Sequence, residues 1–328
     1  MTETGKRGGR YFCCSGKKYL VKYFCEKIKL KEIMKKIKKI GLISPSIMLS
    51  DRDLQFAKWK PYLESCGLEL VMSPSALKGV CQYPNSAQEK ARDIMDMYRN
   101  SQVDALMCVH GGAGALRVLE FLDYDIIARN PKPIFGFSDN TSLQLAVYAQ
   151  TGNPFVSGFF PEYEFRYGEI SPLVDEYFRR VINSERFAAK SGETVNGGAA
   201  EGVLLGECLS TISDLNGTPY YPDLAGKILL IEDEDEKSYK LGLMLTQLRL
   251  NPSFKEVKGI VLGRFSECED HATQGTVEEV LADFCAQVKV PLIKNFNFGH
   301  FRERYVLPMG VRYRLDADNC TLTQSEDL

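Results

Sequence analysis

From Lys38 onward, apolar and polar positions alternate in short blocks. Ile40-Gly41-Leu42-Ile43 is an apolar run stopped by Ser44-Pro45, the pattern of a buried strand. Ser50–Ser65 predicts a helix and Leu68–Met72 a second strand. Ser86–Asn100 sets Ala87, Ala91, Ile94 and Met97 at helical spacing. A third strand over Ala105–Val109 breaks at Gly111-Gly112-Ala113-Gly114, and a helix follows over Leu116–Leu122. Pro133–Phe137 predicts a fourth strand, with a helix over Asp139–Ala149. Strand and helix alternating this closely predict an α/β fold, a parallel sheet with helices on its faces.

Beyond residue 160 the pattern is mixed until a helix over Leu173–Ile182 and the Gly-rich Asn196-Gly197-Gly198-Ala199. Strands are then expected at Val203–Gly206, Lys227–Ile231, Gly259–Leu262 and Leu292–Asn295, and helices at Leu209–Asn216, Tyr239–Leu250 and Thr276–Gln287. Arg312–Asp316 and Asn319–Thr323 read as a closing hairpin. The 328 residues suit two domains. The division expected is an N-terminal α/β domain over 38–160, a crossing over 161–200, and a smaller C-terminal β/α domain over 201–328. Residues 1–37 read as a basic extension outside the fold.

Composition is that of a globular protein, 44% hydrophobic and 26% charged. The net charge of −2 conceals an asymmetry, because residues 1–40 carry 13 of the 41 Lys/Arg and 3 of the 43 Asp/Glu. The other 288 residues hold 28 basic and 40 acidic side chains, which excludes a surface built to grip nucleic acid. Lysines interrupt every apolar stretch of the leader, so it lacks a signal-peptide core. It reads either as a basic amphipathic helix touching an anionic membrane or partner, or as a solvated extension. No run approaches the ~20 apolar residues of a membrane span, so stable membrane insertion is not expected. Ten scattered cysteines without a CxxC pair, and only three histidines, supply a zinc site poorly. Reduced thiols in the cytoplasm is the reading they favour.

Three strand ends carry reactive residues, where an open parallel sheet binds its ligands. Ser138, in Gly136-Phe137-Ser138-Asp139-Asn140-Thr141, would stand at a strand-to-helix turn, where backbone N–H groups can stabilise an oxyanion. Capping of the helix by Ser138 or Asp139 is the structural alternative. Gly111 and Gly112 would allow close backbone approach and offer further N–H donors, or form a plain tight turn. Glu232 opens the acidic run Glu232-Asp233-Glu234-Asp235-Glu236, a solvated loop unless Glu232 stays at the sheet edge. His300 lies between Gly299 and Phe301 and is either catalytic or a hydrogen-bonded structural histidine. Together these supply a serine, a base and a carboxylate to orient the base.

In these blocks and their order the chain resembles the LD-carboxypeptidase family of serine peptidases, which includes murein tetrapeptide carboxypeptidases and microcin C self-immunity peptidases. The similarity spans about residues 38–322 and rests on Ile40–Ser46, Gly111–Arg117, Leu122–Ala128, Gly136–Thr141, Gly217–Asp233 and Gly299-His300 with Leu307–Gly310. It implies a Ser138–His300–Glu232 triad assembled between two domains, with N–H groups of Asp139 and Gly112 or Gly111 as the oxyanion hole. It also implies no metal or organic cofactor, a small peptide substrate, and a homodimer. The activity implied is release of a C-terminal D-amino acid from a murein-derived peptide by cleavage of an L,D bond. An amidase acting on peptide-nucleotide antibiotics is the alternative, for which Phe159, Phe160 and Tyr163 would stack on a base. A non-catalytic peptide binder is a third reading. Arg304 and Arg302 are the expected partners of the substrate carboxylate. The chain departs from the family pattern at His110, Ala113, Glu207-Cys208, Arg304 and Ser157–Tyr163, all near the expected pocket.

Overall fold

The computed structural model describes residues 33–46, 52–77 and 86–325. The leader's proposed amphipathic helix and Cys13, Cys14, Cys25 and Cys81 lie outside them. Strands β1 (Lys39–Ile43), β2 (Glu69–Met72), β3 (Ala105–Cys108), β4 (Ile134–Gly136) and β5 (Phe155–Ser157) form the first sheet in spatial order β2-β1-β3-β4-β5. All are parallel, as the alternation predicts. The helix Ser86–Arg99 packs Ala87, Ala91, Ile94, Met95 and Tyr98 inward. Gly41 lets it close on β1, since a Cβ there would lie 2.7 Å from Met97 Sδ.

The remaining strands are β6 (Ala188–Lys190), β7 (Glu193–Asn196), β8 (Ala199–Cys208), β9 (Lys227–Glu234), β10 (Gly259–Ser266), β11 (Leu292–Lys294), β12 (Leu307–Met309), β13 (Arg312–Asp316) and β14 (Thr321–Gln324). A second sheet takes the order β6-β14-β13-β8-β9-β10-β11-β7. Its centre, β8 to β11, is parallel and its flanks are antiparallel. Helix Val277–Gln287 beside it opens on a capping box between Thr276 and Glu279.

The two halves interlock more than the sequence suggests. β12, from the C-terminal half, pairs antiparallel with β5 of the first sheet, and β6 and β7, from the expected crossing, belong to the second. Ile33, Met34 and Ile37, expected in an extension outside the fold, are buried, and Ile37 N–H donates to Ile182 O at 2.9 Å. Three apolar side chains between lysines suffice to anchor this stretch; net charge masks them in the sequence. Leu116–Leu122 forms a 3-10 helix, Ala115–Phe121, rather than an α-helix. β9 runs three residues beyond Ile231, so Glu232, Asp233 and Glu234 belong to a strand and not to a solvated loop. One apolar core joins both sheets, while Phe137, Phe160 and Tyr163 form a separate cluster between the Ser138 turn and His300.

Candidate active site

β4 ends at Gly136, and the chain turns through Ser138–Asn140 into helix Thr141–Thr151. Ser138 holds φ at 65°, a left-handed conformation that costs an L-residue about 1–2 kcal/mol. Hydrogen bonds that link the segments after β1, β3 and β4 hold it there. Asn140 Nδ2 donates to His110 O and Phe137 O, each at 3.1 Å. Ser46 Oγ, after β1, donates to Asn140 Oδ1 at 3.0 Å and also to Asp139. Asp139 in turn accepts the Ala115 N–H at 2.9 Å, so its carboxylate ties the ends of β1 and β3 to this turn. Neither Ser138 nor Asp139 caps the helix with its side chain. Gly111 leaves room for Ser138, because a Cβ there would lie 3.3 Å from Ser138 Cβ and 3.1 Å from the Phe160 ring.

Glu232 and His300 meet from the other sheet. His300 Nδ1–H donates to Glu232 Oε2 at 2.8 Å, and both side chains are buried. Backbone shape permits the approach. The β9–β10 register shifts between Leu262 and Phe265, opening a bulge opposite Glu232. Gly263 sits in that bulge, where a Cβ would lie 2.4 Å from Phe298 O. Gly299 has φ 131°, and a Cβ there would lie 3.0 Å from Glu232 Oε2. Any side chain at either glycine would push His300 away from its carboxylate.

The other imidazole nitrogen, Nε2, lies 3.7 Å from Glu234 Oε2. Burial opposes charging of His300, but the attraction and hydrogen bond of Glu232, with the charge of Glu234, raise its pKa above the usual histidine range. The Phe137 ring, next to Ser138 in the chain, is 5.1 Å from the imidazole. The structure thus brings the serine turn, glycine turn, glutamate and histidine to one place. Among the hydrogen bonds of the described residues, none joins the Ser138 hydroxyl to His300.

The two expected carboxylate-binding arginines differ in their surroundings. Arg304 is wholly buried. Its guanidinium pairs with Glu164, donates to Gly158 O at 3.0 Å and Phe301 O at 2.9 Å, and stacks on Phe137 and Tyr163. A fork so occupied has no face left for a substrate. Arg302 is exposed, 3.5 Å from Glu169. Phe159, Phe160 and Tyr163, expected to stack on a base, are buried against Phe178, Phe137 and one another.

Four further residues sit around the site, and two of them, His110 and Glu207, are departures from the family pattern. Arg166 is exposed, stacks on Tyr163 at 3.8 Å and lies in the field of Glu234. Glu234 is hidden in the sequence by the acidic run around it. Glu207 lies under the serine turn and accepts the Ser138 N–H on Oε1 at 3.2 Å. His110 pairs with Glu162 at 3.2 Å beside the glycine turn. Among the described residues no group of His, Cys, Asp and Glu is arranged to hold a metal, six cysteines are free, and no helix is long and apolar enough to cross a membrane.

Comparison with known proteins gives this geometry a family. The chain is 29% identical over 286 residues to the probable murein peptide carboxypeptidase of Bacillus subtilis, covering 85% of this chain and 88% of that protein. It is 27% identical over 305 residues to the microcin C7 self-immunity protein MccF of Escherichia coli, covering 83% and 88%. The crystal structure of muramoyltetrapeptide carboxypeptidase from Oxalobacter formigenes superposes with a TM-score of 0.79 at 26% identity, covering 88% of this chain and all of that one. Residues 40–158 match the LD-carboxypeptidase N-terminal domain and residues 201–315 the LD-carboxypeptidase C-terminal domain, and the chain belongs to the LD-carboxypeptidase family.

Proposed function

We propose that this protein is a cytoplasmic serine carboxypeptidase that cleaves an L,D-peptide bond and releases a C-terminal D-amino acid from murein-derived peptides. The buried Glu232–His300 pair at 2.8 Å, set against a strained serine turn, is the observation that carries the reading. Ser138 Oγ attacks the peptide carbonyl and His300 Nε2 takes its proton. Glu232 holds the imidazole in the tautomer with Nδ1–H and stabilises the imidazolium that forms. The N–H groups of Asp139 and of Gly112 or Gly111 receive the charge that develops on the carbonyl oxygen. His300 then returns the proton to the leaving amine, and water repeats the sequence on the acyl-enzyme. The Ser138–His300 hydrogen bond forms as substrate enters, since such contacts often tighten only in the complex.

Cleavage at a chain end requires a cation for the terminal carboxylate. Arg166 supports that role: it is exposed and rests on Tyr163 beside His300, its Nη2 donating to the Tyr163 hydroxyl at 2.8 Å. A homodimer is the assembly we propose, by likeness to the family. The decisive experiment measures D-alanine release from a murein tetrapeptide beside turnover of an aminoacyl-nucleotide amide. Wild type releases D-alanine, and Ser138→Ala loses the activity with its circular-dichroism melt unchanged. Near wild-type release by that variant refutes the mechanism, and turnover of the amide alone transfers it to the other substrate class.

A further inference from the structure

Glu207 combines a positive φ with a fully buried carboxyl. β8 ends in two successive residues with positive φ, Gly206 at 128° and Glu207 at 129°. Gly206 is obligatory, since a Cβ there would lie 2.0 Å from Leu230 O. At residue 207 the same backbone also suits glycine, yet the chain carries a glutamate with its side chain fully buried. Strain and a buried carboxyl are both paid here, and such costs concentrate where function over-determines the local structure.

The carboxyl faces the nucleophile from below. Oε1 accepts the Ser138 N–H at 3.2 Å. The hydroxyls of Ser157, at the end of β5, and Thr141, at the start of the following helix, lie against it. Neither hydroxyl, nor Glu207 Oε2, has an aligned hydrogen-bond partner. No Lys, Arg or His of the described residues forms an ion pair with it. The titratable groups around it are Glu232 on β9 and the buried thiol of Cys108 on β3. Burial and the repulsion of Glu232 drive its pKa well above the carboxylate range, against the pull of the Ser138 N–H and of the nearby hydroxyls. Ionised, it would place a second negative charge beside Glu232 with only His300 to balance both. As the neutral acid it gains a donor on Oε2, which the two orphaned hydroxyls can accept.

We infer that Glu207 is a positioning residue, held as a neutral acid, that pins the Ser138 turn through its N–H and locks its own proton onto Ser157 or Thr141. This rests on the reading of Ser138 as nucleophile, and it spares Glu232 a second negative charge beside it in the core.

The test uses the full chain and a fluorophosphonate ester, which labels an activated serine without knowledge of the peptide substrate. Glu207→Gly suits the backbone, so the melt is kept, but the labelling rate falls by about tenfold or more as the turn loses its support. Glu207→Gln keeps an acceptor for Ser138 and a donor for the hydroxyls, and restores the rate to within about threefold of wild type. Labelling of Glu207→Gly at the wild-type rate overturns the inference, as does Glu207→Gln being as slow as Glu207→Gly. Infrared difference spectra of wild type against Glu207→Gln at pH 7 read the proton directly. A protonated-carboxyl C=O band lost in the variant supports the inference, and its absence overturns it even if Ser138 never reacts. Failure of wild type to label, with that band present, refutes Ser138 as nucleophile and leaves Glu207 a neutral acid.

Discussion

In the proposed mechanism Glu234 stands on the side of His300 that accepts the proton, so its charge would control how readily the imidazole acts as a base. At the observed 3.7 Å, two unit charges interact by about 1 kcal/mol under water-like screening and about 4.5 kcal/mol at an effective dielectric of 20. The Glu234 side chain keeps 27% of its surface exposed against 3% for His300, which places the pair toward the weaker limit. Replacing Glu234 by Gln removes a charge that favours imidazolium and lowers the His300 pKa by about 1 unit, or about 1.4 kcal/mol. The base form is the neutral one, so the acid limb of kcat/KM for D-amino acid release moves down by about the same amount. Stability follows the linked sense. The folded pKa of His300 lies above its unfolded value, so its contribution is complete below the unfolded pKa and is lost as pH rises through the folded one. Glu234→Gln therefore costs stability on the acid side and little on the alkaline side. A pH–rate profile with an acid limb within about 0.3 unit of wild type would falsify the claim that Glu234 holds the proton on His300.

The two arginines separate by stability against binding. Arg304→Met leaves Glu164 buried without its counter-charge and destabilises the fold by about 3–5 kcal/mol in urea denaturation; a loss below about 1 kcal/mol contradicts the ion pair as described. Adding Glu164→Leu recovers much of that loss, because an apolar pair needs no desolvation. Arg166→Met leaves the denaturation midpoint in place and raises KM for the tetrapeptide by about tenfold, with kcat kept, as a lost charge-assisted contact to a carboxylate does. An unchanged KM assigns the terminal carboxylate to another group.

The architecture was written plainly in the chain because strand and helix periodicity are local properties. The alternation over residues 38–150 encodes the parallel first sheet, and the blocks around Ser138, Glu232 and His300 mark the three side chains to watch. What the sequence cannot carry is the surroundings that decide whether a charge is tolerable. Glu232 and Asp233 look like the start of a solvated acidic loop, and only the flanking strands β8 and β10 draw them into the sheet. Arg304 looks like a free cation until Glu164, 140 residues away, closes on it. Glu207 departs from the family pattern in the sequence, but only the fold lays it beneath Ser138. β12 joins the first sheet from the far end of the chain because β5 offers an open edge, which no local pattern records. Periodicity follows from bonds between near neighbours along the chain, whereas the state of a buried acid depends on groups that only long-range folding brings within a few ångströms, where low dielectric makes each of them count.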